Sequence, residues 1–145
     1  MGITGASAGS VTVNVTVTTV AEQVVPYVAG EAIPAKATVC VGESDGKLYN
    51  AKADSATTMP AVGISQAAAA AGETVYVYQT GKVTGVLRDG DFSYDDLIFV
   101  SPLNAGKATK TPPETVGNFS QTLGRAINTS DIVLTIDQSY IIIGS

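Results

Sequence analysis

Histidine is absent from this chain, which removes the commonest general base, the Ser-His-Asp triad and every His-ligated metal centre. The cysteine-histidine nucleophile falls with it. Cysteine occurs once, as Cys40 within ATVCV, so no internal disulfide can form and a buried thiol packing as a small hydrophobe is expected. Charge is sparse at 14% of residues, and no run of Lys or Arg occurs. With a net charge of -5 and a pI near 4.4, neither a nucleic-acid groove nor an anionic membrane surface is an expected partner. No apolar run reaches the roughly 18 residues of a membrane span, because Gln66 and Gly72 bracket the alanine tract. No basic region followed by an apolar core opens the sequence, and Met1-Gly2 lacks the Ser or Thr at position 6 that myristoylation wants, Ala6 standing there. A soluble protein, not exported by the signal-peptide route, is the expectation.

What is present is period-two patterning. In VTVNVTVTTV, Val11, Val13, Val15 and Val17 alternate with Thr12, Asn14, Thr16 and Thr18. At about 3.4 Å per residue this is a strand of roughly 27 Å with one apolar face. Its flanks, MGITGASAGS and AEQVVPYV, offer no two-residue hairpin turn, so its partner is distant in sequence or on another chain. Residues 1–10 hold too little apolar surface to offset the entropy of ordering and read as a tail. The organisation expected is an extended arm with a strand over residues 1–23 and a single all-β domain over 24–145, a compact antiparallel barrel or sandwich built of successive hairpins.

Pro26, which cannot donate to a ladder, places VVPYV at a sheet edge or a strand entrance. Three segments then share a plan, TVCVGESDGKLYNA, TVYVYQTGKVTGV and LIFVSPLNAGKATKT, each two apolar runs about a glycine. They predict hairpins turning at Asp45-Gly46, Thr80-Gly81 and Ala105-Gly106, where glycine takes the positive φ of a tight reversal and the following Lys marks an exposed strand start. Pro60 opens a short strand, AVGIS, and the alanines after it are too few for a helix that stands unaided. The chain closes on two strand-like runs about Asp137-Gln138-Ser139, and YIIIGS is an aggregation hazard unless paired or buried.

Chemistry-bearing clusters are few. RDGDFSYDD gathers Asp89, Asp91, Asp95 and Asp96 beside Arg88, a set of oxygens of the kind calcium takes, but its spacing does not fit an EF-hand loop and a polar turn is favoured. The Gly-Lys pairs match neither GxxxxGK[ST] nor GxGxxG. Tyr76 and Tyr78 share a strand face, where packing is favoured over a sugar-binding platform. The sequons at Asn14, Asn118 and Asn128 read as accidents of a Thr- and Asn-rich chain. No metal or cofactor is expected.

The succession KLYNAKADSATTMPAVGIS, AAGETVYVYQTGKVTGV, DDLIFVSPLNAGKATKTPP and QTLGRAINTSDIVLTI resembles a β-module recurring in bacteriophage structural proteins: capsid decoration, or cement, proteins and head and tail fibres. The resemblance covers about Gly30 to Ile136. Its most recognisable pieces are Met59-Pro60-Ala61-Val62-Gly63, Gly81-Lys82-Val83 and Leu97-Ile98-Phe99-Val100-Ser101. It departs at Tyr94-Asp95-Asp96, where the family pattern usually carries Gly-Asp. What the resemblance implies is a non-enzymatic, oligomeric virion part, often trimeric, that sits on the outer capsid surface and binds the major capsid protein partly through an ordered N-terminal arm.

In that setting Val11, Val13, Val15 and Val17 would form the capsid-binding arm by strand addition, and Tyr140, Ile141, Ile142 and Ile143 the homotrimer interface. The arm's partner would be a sheet edge of the capsid protein or of a neighbouring decoration subunit, the alternative being a first strand of its own domain beside Ile132 to Ile136. A fibre or receptor-binding module recognising a host glycan is the second functional reading. A polysaccharide hydrolase with two carboxylates about 5 to 9.5 Å apart is a distant third.

Overall fold

Strand follows strand from Gln23 to Ile142, as period-two patterning requires. The structure, a computed structural model, describes residues 23–144; the arm positions Val11, Val13, Val15 and Val17 lie outside the described residues. The strands are β1 Gln23–Val28, β2 Thr38–Val41, β3 Leu48–Asn50, β4 Ala61–Ser65, β5 Thr74–Val83, β6 Leu97–Val100, β7 Ala108–Thr109, β8 Phe119–Ser120, β9 Thr122–Ala126, β10 Ile132–Thr135 and β11 Ile141–Ile142. Among the described residues the one helical piece is a 3-10 turn, Ala56–Thr58, capped by Ser55. All pairings between these strands are antiparallel. The order β3-β2-β4-β5-β10-β9-β6-β7, with β1 also on β5, makes a nine-stranded sheet that curls into a half-barrel; β8 and β11 pair separately. The all-β antiparallel expectation holds.

Two apolar cores lie on opposite faces of the sheet. Val39 belongs to one with Ile33, Leu48, Val75 and Val77, while its neighbour Cys40 belongs to the other with Ile64, Val83, Ile98, Leu123, Ile132 and Leu134. Successive side chains of a strand point to opposite faces, so β2 is covered on both sides. That explains why ATVCV reads as an unbroken apolar run.

The first and third expected hairpins form, as β2–β3 and β6–β7, with Gly46 at φ 71° and Gly106 at φ 81° in their turns. The second does not. Thr80-Gly81 lies inside β5, a single strand of 10 residues. Its pairing with β1 runs from Val28↔Thr74 to Val24↔Tyr78 and then jumps to Gln23↔Thr80, skipping Gln79. That bulge adds one residue and inverts the alternation. Val75 and Val77 therefore face one core and Val83 the other, although all three are odd-numbered. Gly81 at φ 96° serves the twist of a strand that changes cores, and not a reversal.

Pro26 sits in β1, whose one ladder partner among the described residues is β5, in keeping with an edge assignment. The alanine tract is irregular, tied by a bridge from Ala69 to Ile33 and by Glu73, whose Oε1 accepts from the Ala70 amide at 2.7 Å and whose amide donates to Ala70 O at 3.0 Å. At Tyr94-Asp95-Asp96, Asp95 takes φ 64°, a left-handed conformation that aspartate is among the few residues other than glycine to tolerate.

Two strands approach closer than a side chain allows. A Cβ built on Gly63 would overlap the Tyr78 carbonyl oxygen, and one on Gly124 the Val133 carbonyl oxygen. Both glycines flank register shifts, in β2–β4 and β9–β6 respectively, where the sheet bends to curl.

Cys40 is buried as expected, 1% exposed, and burial, then the nearby Glu31 charge, push its thiol up to about 11 from an ordinary 9.0. A raised thiol pKa means the fold favours the protonated form. Its contribution is whole below pH 9 and is lost as pH rises from there through about 11. On the acid side Asp45, Asp131 and Asp137 are held below the ordinary 3.8, chiefly by hydrogen bonds from Tyr49, Asn128 and the Ser139 amide respectively. Their contribution is present above 3.8 and fades as pH falls below it. The expected result is a melting temperature that is flat between about pH 4 and pH 9 and declines beyond either limit. Cys40→Ala should lessen the alkaline decline, leaving the part due to Tyr49, whose hydroxyl is also raised by its hydrogen bond to Asp45, and native Cys40 should resist alkylation until denaturant is added. An unaltered alkaline limb in that variant would assign the decline elsewhere.

Candidate interaction surface

The C-terminal run leaves the half-barrel after Thr135. Ile136 still packs against the larger core, and the Asp137 amide donates to Thr122 O at 3.0 Å. Asp137 Oδ1 then accepts from the Ser139 amide at 3.0 Å and from Ser139 Oγ at 2.9 Å, an Asx turn that reverses the chain. The Tyr140 ring lands against Phe119, with centroids 5.1 Å apart.

Beyond this turn β11 pairs with β8, Ile141 opposite Ser120 and Ile142 opposite Phe119, and the ladder continues through Ile143 N–H to Asn118 O at 2.8 Å. The Phe119 amide, however, donates to Ala53 O at 2.8 Å. Phe119 and Ile142 are thus a non-hydrogen-bonded pair, and the Ile142 amide and carbonyl point off the far side of β11. Of Tyr140, Ile141, Ile142 and Ile143, the middle two form β11 and the outer two flank it. The backbone of the run is paired on one side, but Ile141 is 69% and Ile142 57% exposed. Among the described residues no strand pairs with the other side of β11, and an edge carrying two bare isoleucines is a template for another strand.

On its other side Tyr140 helps wall a groove of about 900 Å³ that reaches Tyr49, Met59, Pro60, Glu31 and Glu43. Tyr49 fills space that Gly30 and Gly42 leave open, since a Cβ at either would strike its ring. Its hydroxyl donates to Asp45 Oδ2 at 2.5 Å, which pulls the Asp45 carboxyl down and pushes the tyrosine up. Glu31 Oε2 accepts from both the amide and the side chain of Asn50, each at 2.9 Å. These groups anchor the β2–β3 hairpin as well as lining the groove.

The four aspartates of RDGDFSYDD are dispersed to separate partners. Asp89 accepts from Ser101 Oγ and, at 2.7 Å, from Asn104 Nδ2. Asp91 pairs with Arg88 at 2.7 Å, Asp95 with Arg125 at 3.6 Å, and Asp96 accepts from the Ser93 amide at 2.9 Å. Among the described residues no three carboxylates or thiols gather as a metal-binding group. Tyr78 packs against the larger core while Tyr76 is half exposed, so the pair does not present two free rings. The Asn128 side chain is consumed by Ser130 and Asp131.

Both edges of β10 are occupied, one by β9 and one by β5. Val11 to Thr18, for which a place in the domain's own sheet beside Ile132 to Ile136 is the alternative reading, lies outside the described residues. Sequence reasoning also missed Gln121, which is buried and clamps the C-terminal turn to β4. A lone polar residue between Ser120 and Thr122 gives no signal of that. No family model matches the chain, and no curated protein matches it.

Proposed function

We propose that this chain is a structural virion protein, a bacteriophage capsid decoration protein that binds the major capsid protein on the outer surface of the shell as a homotrimer and stabilises it without catalysis. The observation that carries this reading is the open, uncharged, apolar edge of β11, which needs a protein partner. The resemblance over Gly30 to Ile136 supplies the setting. The acidic surface, with Lys and Arg dispersed, is consistent with a protein partner and not with a nucleic acid or an anionic membrane. A second reading, a head- or tail-fibre module that holds a host glycan, draws on the groove between Tyr49 and Tyr140.

The test is native mass followed by shell binding. A trimer mass is expected, and Ile142→Asp should give single chains with unchanged circular dichroism, since Ile142 is exposed on the isolated body and the charge would be stranded only in the assembly. Removing residues 1–20 should leave a folded body that no longer binds shells. A monomer at micromolar concentration, or full shell binding by the truncated chain, would sink the reading. Specific retention on a glycan surface, lost in Tyr140→Ala, would move the assignment to the second.

A further inference from the structure

We propose that the free edge of β11 is completed by Val11–Thr18 of a second copy of this chain. The inference rests on the oligomeric half of the proposed function and names the contact that builds the oligomer. Each segment lacks what the other has. The Phe119 amide's bond to Ala53 leaves Ile142 with its backbone groups directed outward. Val11–Thr18 is patterned as a strand and has no turn beside it to give it a neighbour. Neither brings charge, for Val11–Val20 and Gln138–Ser145 contain no Asp, Glu, Lys or Arg. Joining them desolvates no ion, and backbone bonds with apolar contact supply the affinity.

A second copy is favoured over the same chain by the residues between. Thr19-Val20-Ala21-Glu22 contains no Gly, Pro, Asn or Asp to reverse direction, and β1 begins directly after it at Gln23. Gln23 and Thr135 both stand opposite Thr80, so the chain enters the sheet at the level from which the β11 segment departs. With no such reversal in the sequence beside it, a strand of roughly 27 Å is long enough to reach a neighbouring copy. A contact between two different surfaces is heterologous and, where its rotation closes, makes a ring such as the proposed trimer. Joining β11 to β11 would be two-fold and stop at a dimer.

The test uses full-length chains. Val15→Cys is co-expressed with a size-tagged Ile142→Cys chain, adjacent strands being close enough for a disulfide, while Cys40 stays silent in the core. The expected product of mild oxidation is a disulfide-linked pair of mixed mass, formed equally well at high salt because no ion pair is involved. A link that forms only when both cysteines share one chain, leaving a single-chain mass, would assign the strand to its own subunit and overturn the inference. Absence of any link with cysteine at Val13, Val15 or Val17 in turn would do the same. Mixed-mass linkage in a protein that fails to bind shells would count against the decoration role and leave this contact standing.

Discussion

Replacing Gln121 by leucine is expected to lower the unfolding free energy by about 3 kcal/mol or more, and the melting temperature by roughly 10 °C, with no change in the denaturant m-value. Gln121 is 1% exposed. Its Oε1 accepts from the Ala61 amide at 2.7 Å, and its Nε2 donates to Ala61 O at 3.0 Å and Asp137 O at 2.8 Å. Leucine has nearly the same volume, so packing is retained while one buried donor and two acceptors lose this partner. Each buried group left unsatisfied costs about 1 to 3 kcal/mol, a large share of the 5 to 15 kcal/mol typical of a domain. Because Asp137 opens the turn that launches β11, the variant should also show faster amide exchange at Tyr140 to Ile143 than at β9. A loss below about 1 kcal/mol would show that water or a backbone shift replaces the clamp.

Gly124→Ala should cost at least as much, for a different reason. The added methyl meets the Val133 carbonyl oxygen and lies near the Leu134 Cα, backbone atoms that cannot turn aside as a side chain would. Relief requires β9 and β10 to separate while both remain paired on their other edges, to β6 and β5. Overpacking typically costs about 1 to 3 kcal/mol, and a rigid neighbour places this substitution at or beyond the upper end. Gly46→Ala is the internal comparison. Nothing lies within 4 Å of its Cβ position, and only φ 71° opposes the change, worth about 1 to 2 kcal/mol. Equal melting temperatures for the two variants would mean the strand approach at Gly124 yields easily.

Val24, Val28 and Tyr76 remain exposed on β1 and β5 although the run QVVPYV reads as apolar. Their neighbours Val75 and Val77 are buried, and nothing in local pattern separates the two faces of such a strand. The reading of TVYVYQTGKVTGV as a hairpin failed on the same kind of ambiguity. A glycine amid β-branched residues signals equally a reversal or a bulge, and which one forms depends on the strand laid alongside. Here β1 and β10 divide the length of β5 between them, so the strand continues.

The sequence by itself determined the class of the fold, the burial of Cys40, the hairpins at Asp45-Gly46 and Ala105-Gly106, the strand after Pro60 and the hazard in YIIIGS. Each follows from local physics: two-residue periodicity, glycine where φ is positive, proline without a donor, and an uncharged β-branched run. Tertiary structure alone decided the two cores on opposite faces, the bulge at Gln79 that exchanges them along β5, the clamp of Gln121 on Ala61 and Asp137, and the outward direction of Ile142's backbone groups. These depend on which strands are brought alongside one another. A polar residue becomes a clamp, and an edge becomes open, only through neighbours 60 residues distant, as Gln121 is from Ala61, and their approach is set by packing across the whole sheet.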